Sequence, residues 1–90
     1  NGIAEQSNNK EILDAILLLA RTEGIFTEPA GGVSVAVLKK MVEDGKIDRD
    51  ETTVCYVTGN GLKATESLME VLPKPQVMQA DVAKILAVVK

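Results

Sequence analysis

Eight apolar residues crowd into the nine positions from Ile12 to Ala20, and a helix over this stretch has almost no polar side. They are Ile12, Leu13, Ala15, Ile16, Leu17, Leu18, Leu19 and Ala20. The ends of the helix are marked. Asn8 followed three residues later by Glu11 has the spacing of a capping box, and Gly24 suits a C-terminal cap. The predicted helix therefore runs from Asn9 to Glu23. A helix apolar nearly all round must be covered on most sides. A second segment makes the same demand. Thr52 to Val57 is rich in β-branched and aromatic residues and reads as a strand. Val54, Cys55, Tyr56 and Val57 do not alternate with polar residues, which predicts burial on both faces. Such a strand needs neighbours in a sheet, and the chain offers few. Ninety residues make one small domain at most, and Phe26 and Tyr56 are its only aromatics. The pattern is that of a slab cut from a larger α/β protein.

The remaining elements follow from punctuation. Gly24 to Glu28 is a short connector, expected to be extended and to carry Ile25 and Phe26 inward. Pro29 fits the first position of a helix, where its missing N–H costs nothing. The second helix is predicted over Pro29 to Asp44. Val33, Val35, Ala36, Val37, Leu38, Met41 and Val42 are its apolar members, and Gly45 ends it. Lys46 to Glu51 reads as a charged loop. Gly59-Asn60-Gly61 stops the strand, and Leu62 to Val71 is a candidate third helix. Pro73 and Pro75 break the chain before Gln76 to Met78, a candidate short edge strand. Asp81 to Val89 closes the chain with Val82, Ile85, Leu86 and Val89 at helical spacing.

Composition excludes several functions. The net charge is −3 and the ten Lys and Arg are scattered, so no patch is available for a nucleic-acid backbone. Histidine is absent, which removes Ser-His-Asp and Cys-His nucleophiles and histidine-containing zinc sites. Cys55 stands alone, reads as a small buried hydrophobe, and forms neither an internal disulfide nor a thiolate cluster. The acidic run Glu43, Asp44, Asp48, Asp50 and Glu51 lacks the spacing of a calcium loop and reads as solvated, so no metal is expected. No apolar run approaches the roughly 20 residues of a membrane span. Asn1 to Asn9 is polar and unlike a signal peptide. A reduced, cytoplasmic location is the expectation.

Two loops have the composition of ligand sites. In Thr27-Glu28-Pro29-Ala30-Gly31-Gly32, two glycines occupy the first turn of a helix, at roughly 1 kcal/mol each relative to alanine, so something must approach closely there. The exposed N–H groups favour a polar or anionic ligand. Ordinary turn chemistry with Glu28 as a capping acid accounts for the same residues. The second loop, Val57-Thr58-Gly59-Asn60-Gly61-Leu62-Lys63, follows the C-terminal end of the predicted strand, where ligands bind in open α/β sheets. Thr58 offers a hydroxyl there, and the glycines admit a flat ligand. A plain strand-to-helix turn is the alternative. The Gly-Lys-Ser/Thr run of a P-loop is missing.

Taken in order, several segments resemble the threonine synthases. They are Glu11-Ile12-Leu13-Asp14-Ala15-Ile16, Leu19-Ala20-Arg21-Thr22-Glu23-Gly24-Ile25-Phe26, Glu28-Pro29-Ala30-Gly31-Gly32, Gly45-Lys46-Ile47-Asp48 and Thr58-Gly59-Asn60-Gly61-Leu62-Lys63. The likeness spans roughly residues 8 to 63. It implies an α/β fold, namely part of the large domain of a fold-type-II pyridoxal-phosphate enzyme. The expected architecture is three to four helices around one buried strand, with the short edge strand beside it. The whole chain, 1–90, is then a single C-terminal segment of a catalytic domain. The implied reaction turns O-phosphohomoserine and water into threonine and phosphate. Pyridoxal phosphate is the implied cofactor, with Thr58, Gly59, Asn60 and Gly61 at its binding loop and the Thr58 hydroxyl on the pyridine nitrogen. Glu28, Pro29, Ala30 and Gly31 line the cofactor-side wall by the same resemblance.

The departures matter as much. Nothing in this chain matches the family's Schiff-base lysine or its glycine-rich phosphate cup, so no catalytic residue is assigned and the isolated chain is expected to be silent. Tight binding of the cofactor by the isolated chain is not expected either. Ala64-Thr65 stands where many relatives have an acidic residue and proline. The implied partner is the remainder of the parent domain. Two rival readings stay open: a free-standing truncated paralogue, an interaction module that self-associates through apolar surface, and a segment of a serine or threonine dehydratase.

Overall fold

The computed structural model describes residues 2–89. Helix α1 spans Asn9–Glu23, and its start is the anticipated capping box. The Glu11 N–H donates to Asn8 Oδ1 at 2.9 Å, and the Asn8 N–H donates to Glu11 Oε2 at 2.9 Å. Gly24 ends α1 at φ 68°, a left-handed conformation costly for any residue with a Cβ, and its N–H donates to Ala20 O at 3.1 Å. Helix α2 spans Pro29–Glu43. Gly45, also at φ 68°, reverses the chain. Its N–H donates to Val42 O at 3.1 Å, while the Lys46 N–H donates to Met41 O at 2.9 Å. That pairing satisfies two carbonyls that a helix end would otherwise leave open.

The two helices pack on one another through small residues. Ala15 and Ile16 of α1 are buried, as are Gly31, Gly32 and Ala36 of α2. A Cβ placed on Gly32 would lie 2.7 Å from Ile16 Cγ1 and 3.1 Å from Ile12 O. The close approach that the paired glycines called for is thus made, at Gly32, by α1 itself. The lead-in is tied down by charge: Lys40 Nζ donates to Gln6 O at 2.7 Å and pairs with Glu11 at 3.2 Å, and Lys46 pairs with Glu5 at 3.1 Å. The Asn8 N–H, and after it Lys40, hold the Glu11 carboxyl below its ordinary value.

Beyond residue 45 several expectations fail, for one shared reason. The segment expected to be an extended strand, Thr52 to Val57, pairs with nothing, and the described residues contain no strand. Residues 53–56 share a shallow hollow with Ser34, Val37, Leu38, Met41 and Ile47, so α2 lies beside them. Elsewhere they are open: Val54 is 74% exposed and Tyr56 78%, and Cys55 is half-buried. A strand is held by ladder bonds to neighbours, and the described chain contains no other strand to pair with this segment. The candidate edge strand Gln76 to Met78 is unpaired for the same reason, with Val77 fully exposed.

The helix expected over Leu62 to Val71 is replaced by two single 3₁₀ turns, Gly61–Lys63 and Glu66–Leu68. Ala64, at φ −149° and ψ 69°, interrupts them. Leu68 is nonetheless buried, and Ser67 shares a hollow with Asn9, Ile12, Leu13 and Pro29 near the helix starts. Ile25, expected inward, is 46% exposed, while Phe26 is half-buried. A final helix, α3, spans Val82–Val88 and buries no residue. The radius of gyration is 17.4 Å. A compact chain of this length would have about 12 Å. Most of the molecule outside the α1–α2 pair has found no core.

Substituting Gly32→Ala should drive a methyl into Ile16 and the α1 backbone and destabilise the helix pair by about 1–3 kcal/mol. Urea unfolding followed by helical circular dichroism measures this, and an unchanged midpoint would contradict the packing described.

Candidate functional site

The two loops singled out by composition lie against each other. The Gly61 N–H donates to Phe26 O at 3.0 Å, and the Glu28 N–H donates to Gly59 O at 3.1 Å. Between these bonds Thr27 and Asn60 face one another as an antiparallel bridge. The connector before α2 is therefore clipped to the turn after the extended segment. Side chains close in on both glycines of the turn. A Cβ on Gly61 would overlap the Phe26 ring, and one on Gly59 would overlap the Glu28 carboxylate. Asn60 shapes the next step by accepting the Leu62 N–H on Oδ1 at 2.9 Å.

At the centre of the clip sits a residue that sequence reasoning passed over. Thr27 is 1% exposed, and it is the buried polar residue of the described chain. Its hydroxyl lies 3.2 Å from Glu28 O and 3.2 Å from Gly59 O, so its single proton has two carbonyls within reach. The same side chain fills the space above Gly31, whose Cβ would overlap Thr27 Oγ1 and lie 3.0 Å from Thr27 Cβ. In the sequence Thr27 looks like one more connector residue. The available signal was its four-residue spacing from a glycine in the first turn of a helix.

The other predicted residues fall as follows. Thr58 is exposed, one residue before the clip, and Gly59 is half-buried. Asn60 is exposed and Gly61 buried. Glu28 and Pro29 are half-buried, Ala30 is exposed and Gly31 is buried beneath Thr27. Glu28 occupies the N-cap position of α2 but makes no side-chain cap bond. Its carboxylate turns to Gly59 instead, with Oε2 3.7 Å from Lys63 Nζ. The ends of both loops thus meet at Glu28.

No lysine among the described residues is buried. Lys10, Lys39, Lys40, Lys46 and Lys63 each face a carboxylate. Glu43 beside Lys39 raises that ammonium above its ordinary value. A lysine that attacks a carbonyl must lose its proton, and desolvation is the usual means. None of these five is buried, so none meets that condition. No group of three or more Cys, Asp or Glu side chains converges among the described residues, and none of their helices is long and apolar enough to cross a membrane.

Substituting Gly61→Ala should force the Phe26 ring aside and open the clip, with overpacking of about 1–3 kcal/mol. Hydrogen exchange at the Glu28 and Gly61 amides should quicken by roughly tenfold or more for a loss of that size. Unchanged protection at both amides would show that the two bonds do not hold the loops together.

Comparison with known proteins identifies the family. The family model described as "Pyridoxal-phosphate dependent enzyme" matches residues 1–59, which include both connector and extended segment. The chain is 44% identical over 89 residues to a threonine synthase of Methanocaldococcus jannaschii, covering 99% of this chain and 22% of that protein. It is 46% identical over 84 residues to the threonine synthase of Methanosarcina acetivorans, covering 93% of this chain and 21% of that one. For the threonine synthase of Halalkalibacterium halodurans the identity is 42% over 82 residues, with 90% and 23% covered. The chain spans about a fifth of the length of the curated relatives it matches. The chain belongs to the pyridoxal-phosphate dependent enzyme family.

Proposed function

We propose that these residues form part of the catalytic domain of a threonine synthase and supply the loop that meets the pyridine nitrogen of pyridoxal phosphate. The reaction on this reading converts O-phosphohomoserine and water to threonine and phosphate. The observation that carries it is the clip: Thr58 stands exposed beside a turn whose backbone is pinned on both sides of Asn60. Pinning matters because glycines at 59 and 61 would otherwise leave the turn free to move. An exposed hydroxyl held at such an edge suits a ring nitrogen. When bound, the cofactor serves as an electron sink for carbanions. The neutral Thr58 hydroxyl would hydrogen-bond that nitrogen and would leave it less protonated than a carboxylate does. Glu28 to Gly31 forms the adjoining wall, with the Glu28 carboxylate braced between Gly59 and Lys63.

The remainder of such a domain is the natural partner. Val54, Tyr56 and Val57 lie open on an unpaired extended segment that α2 flanks, as a sheet strand awaiting its neighbours would. Among the described residues no lysine is buried, so on this reading the 90 residues alone are catalytically silent.

In the full-length polypeptide that carries these residues, Thr58→Val should weaken cofactor affinity by roughly tenfold, the worth of about one hydrogen bond, while Thr58→Ser retains it. Activity with O-phosphohomoserine should fall in the valine variant alone. Equal affinity and activity in all three proteins would remove Thr58 from the site. A borohydride-trapped cofactor adduct at one specific lysine of the isolated chain would overturn the claim of silence.

A further inference from the structure

We propose that Thr27 is a positioning residue: its buried hydroxyl sets where the Thr58 loop is held. The proposal rests on the reading of Thr58 given above and adds a residue that touches no cofactor. Thr27 is sealed from water at 1% exposure, and a buried hydroxyl must find a partner or lose free energy. The partners within reach are the carbonyls of Glu28 and Gly59, each at 3.2 Å. The Gly59 carbonyl already accepts the Glu28 N–H at 3.1 Å, so a hydroxyl donated there gives it a second bond. A carbonyl held by two donors fixes the peptide plane between Gly59 and Asn60. That plane begins two bonds beyond the Thr58–Gly59 peptide, and Gly59 is the joint most able to swivel.

The same side chain is locked from behind. Gly31 has no Cβ, and the Thr27 hydroxyl occupies the space one would fill. Thr27 is thereby wedged between the first turn of α2 and the turn at 59–61. Shape and hydrogen bonding make opposite demands on its substitutes. Valine keeps the branched shape and discards the donor, whereas serine keeps the donor and discards a methyl.

The test uses the full-length polypeptide as wild type, Thr27→Val and Thr27→Ser. Pyridoxal-phosphate dissociation constants and amide exchange at Glu28 and Gly61 in the cofactor-free protein are both measured. Thr27→Val should bind the cofactor roughly five- to tenfold more weakly and exchange those amides faster by a similar factor, the scale of one lost hydrogen bond, while Thr27→Ser stays near wild type. Wild-type affinity and exchange in Thr27→Val would overturn the proposal, as would Thr27→Ser impaired as much as valine, since that result assigns the effect to methyl packing. If Thr27→Val does not fold, Thr27→Ser decides: wild-type behaviour upholds the hydroxyl's role and impairment overturns it. A wild-type protein that fails to bind the cofactor overturns the functional reading instead, and the exchange measurements still decide the role of Thr27.

Discussion

Two backbone hydrogen bonds and one buried hydroxyl join segments more than thirty residues apart, and the candidate site exists only because of them. Without the bonds from Gly61 to Phe26 and from Glu28 to Gly59, the connector before α2 and the turn after the extended segment would be separate loops. Their union costs conformational freedom, most of all at the glycines, and the bonds must offset that cost. The Thr27 hydroxyl contributes because it is out of water, where a hydrogen bond left unmade is expensive. Steric exclusion sharpens the fit. Beside Gly59 and Gly61 the Glu28 carboxylate and the Phe26 ring occupy the space a Cβ would enter.

The helix pair carries that clip. Gly32 lets the first turn of α2 reach the backbone of α1 beside Ile12 and Ile16, and this contact fixes where α2 begins. Thr27 and Glu28 lie immediately before that start, so the position of the clip follows from the packing of α1 on α2. The capping box at Asn8 and the Lys40 contacts to Gln6 and Glu11 hold the other end of α1 and the lead-in against α2. Past residue 68 no comparable contacts exist, and every described residue from Met69 onward is exposed.

What the sequence revealed follows the range of the interactions involved. Both long helices were legible, because a capping box, a proline and glycines at 24 and 45 act within one turn of the ends they mark. So was the closing helix, from its apolar spacing alone, and the structure adds an Asp81 cap. The strand over Thr52 to Val57 was not realised, since apolar content records a demand for neighbours and the described chain does not meet it. The helix after Gly61 was not realised: Asn60 caps a single 3₁₀ turn, and Ala64 leaves the helical region at φ −149° and ψ 69°. For the site, composition named both loops but not their contact, and Thr27 was missed because its burial depends on a partner 32 residues away. The glycines at 31 and 32 were read as room for a ligand, and the room is taken by Thr27 and α1.

On the proposed function this chain is one part of a larger catalytic domain whose sheet residues 52–57 join. Hydrogen exchange at the amides of Val54 to Val57 tests it most directly, measured in the isolated 90 residues and in the full-length polypeptide. The account predicts rapid exchange in the isolated chain, where the segment has no ladder, and strong protection in the full-length protein. Rapid exchange in both would contradict it, because the segment would then have no sheet to join.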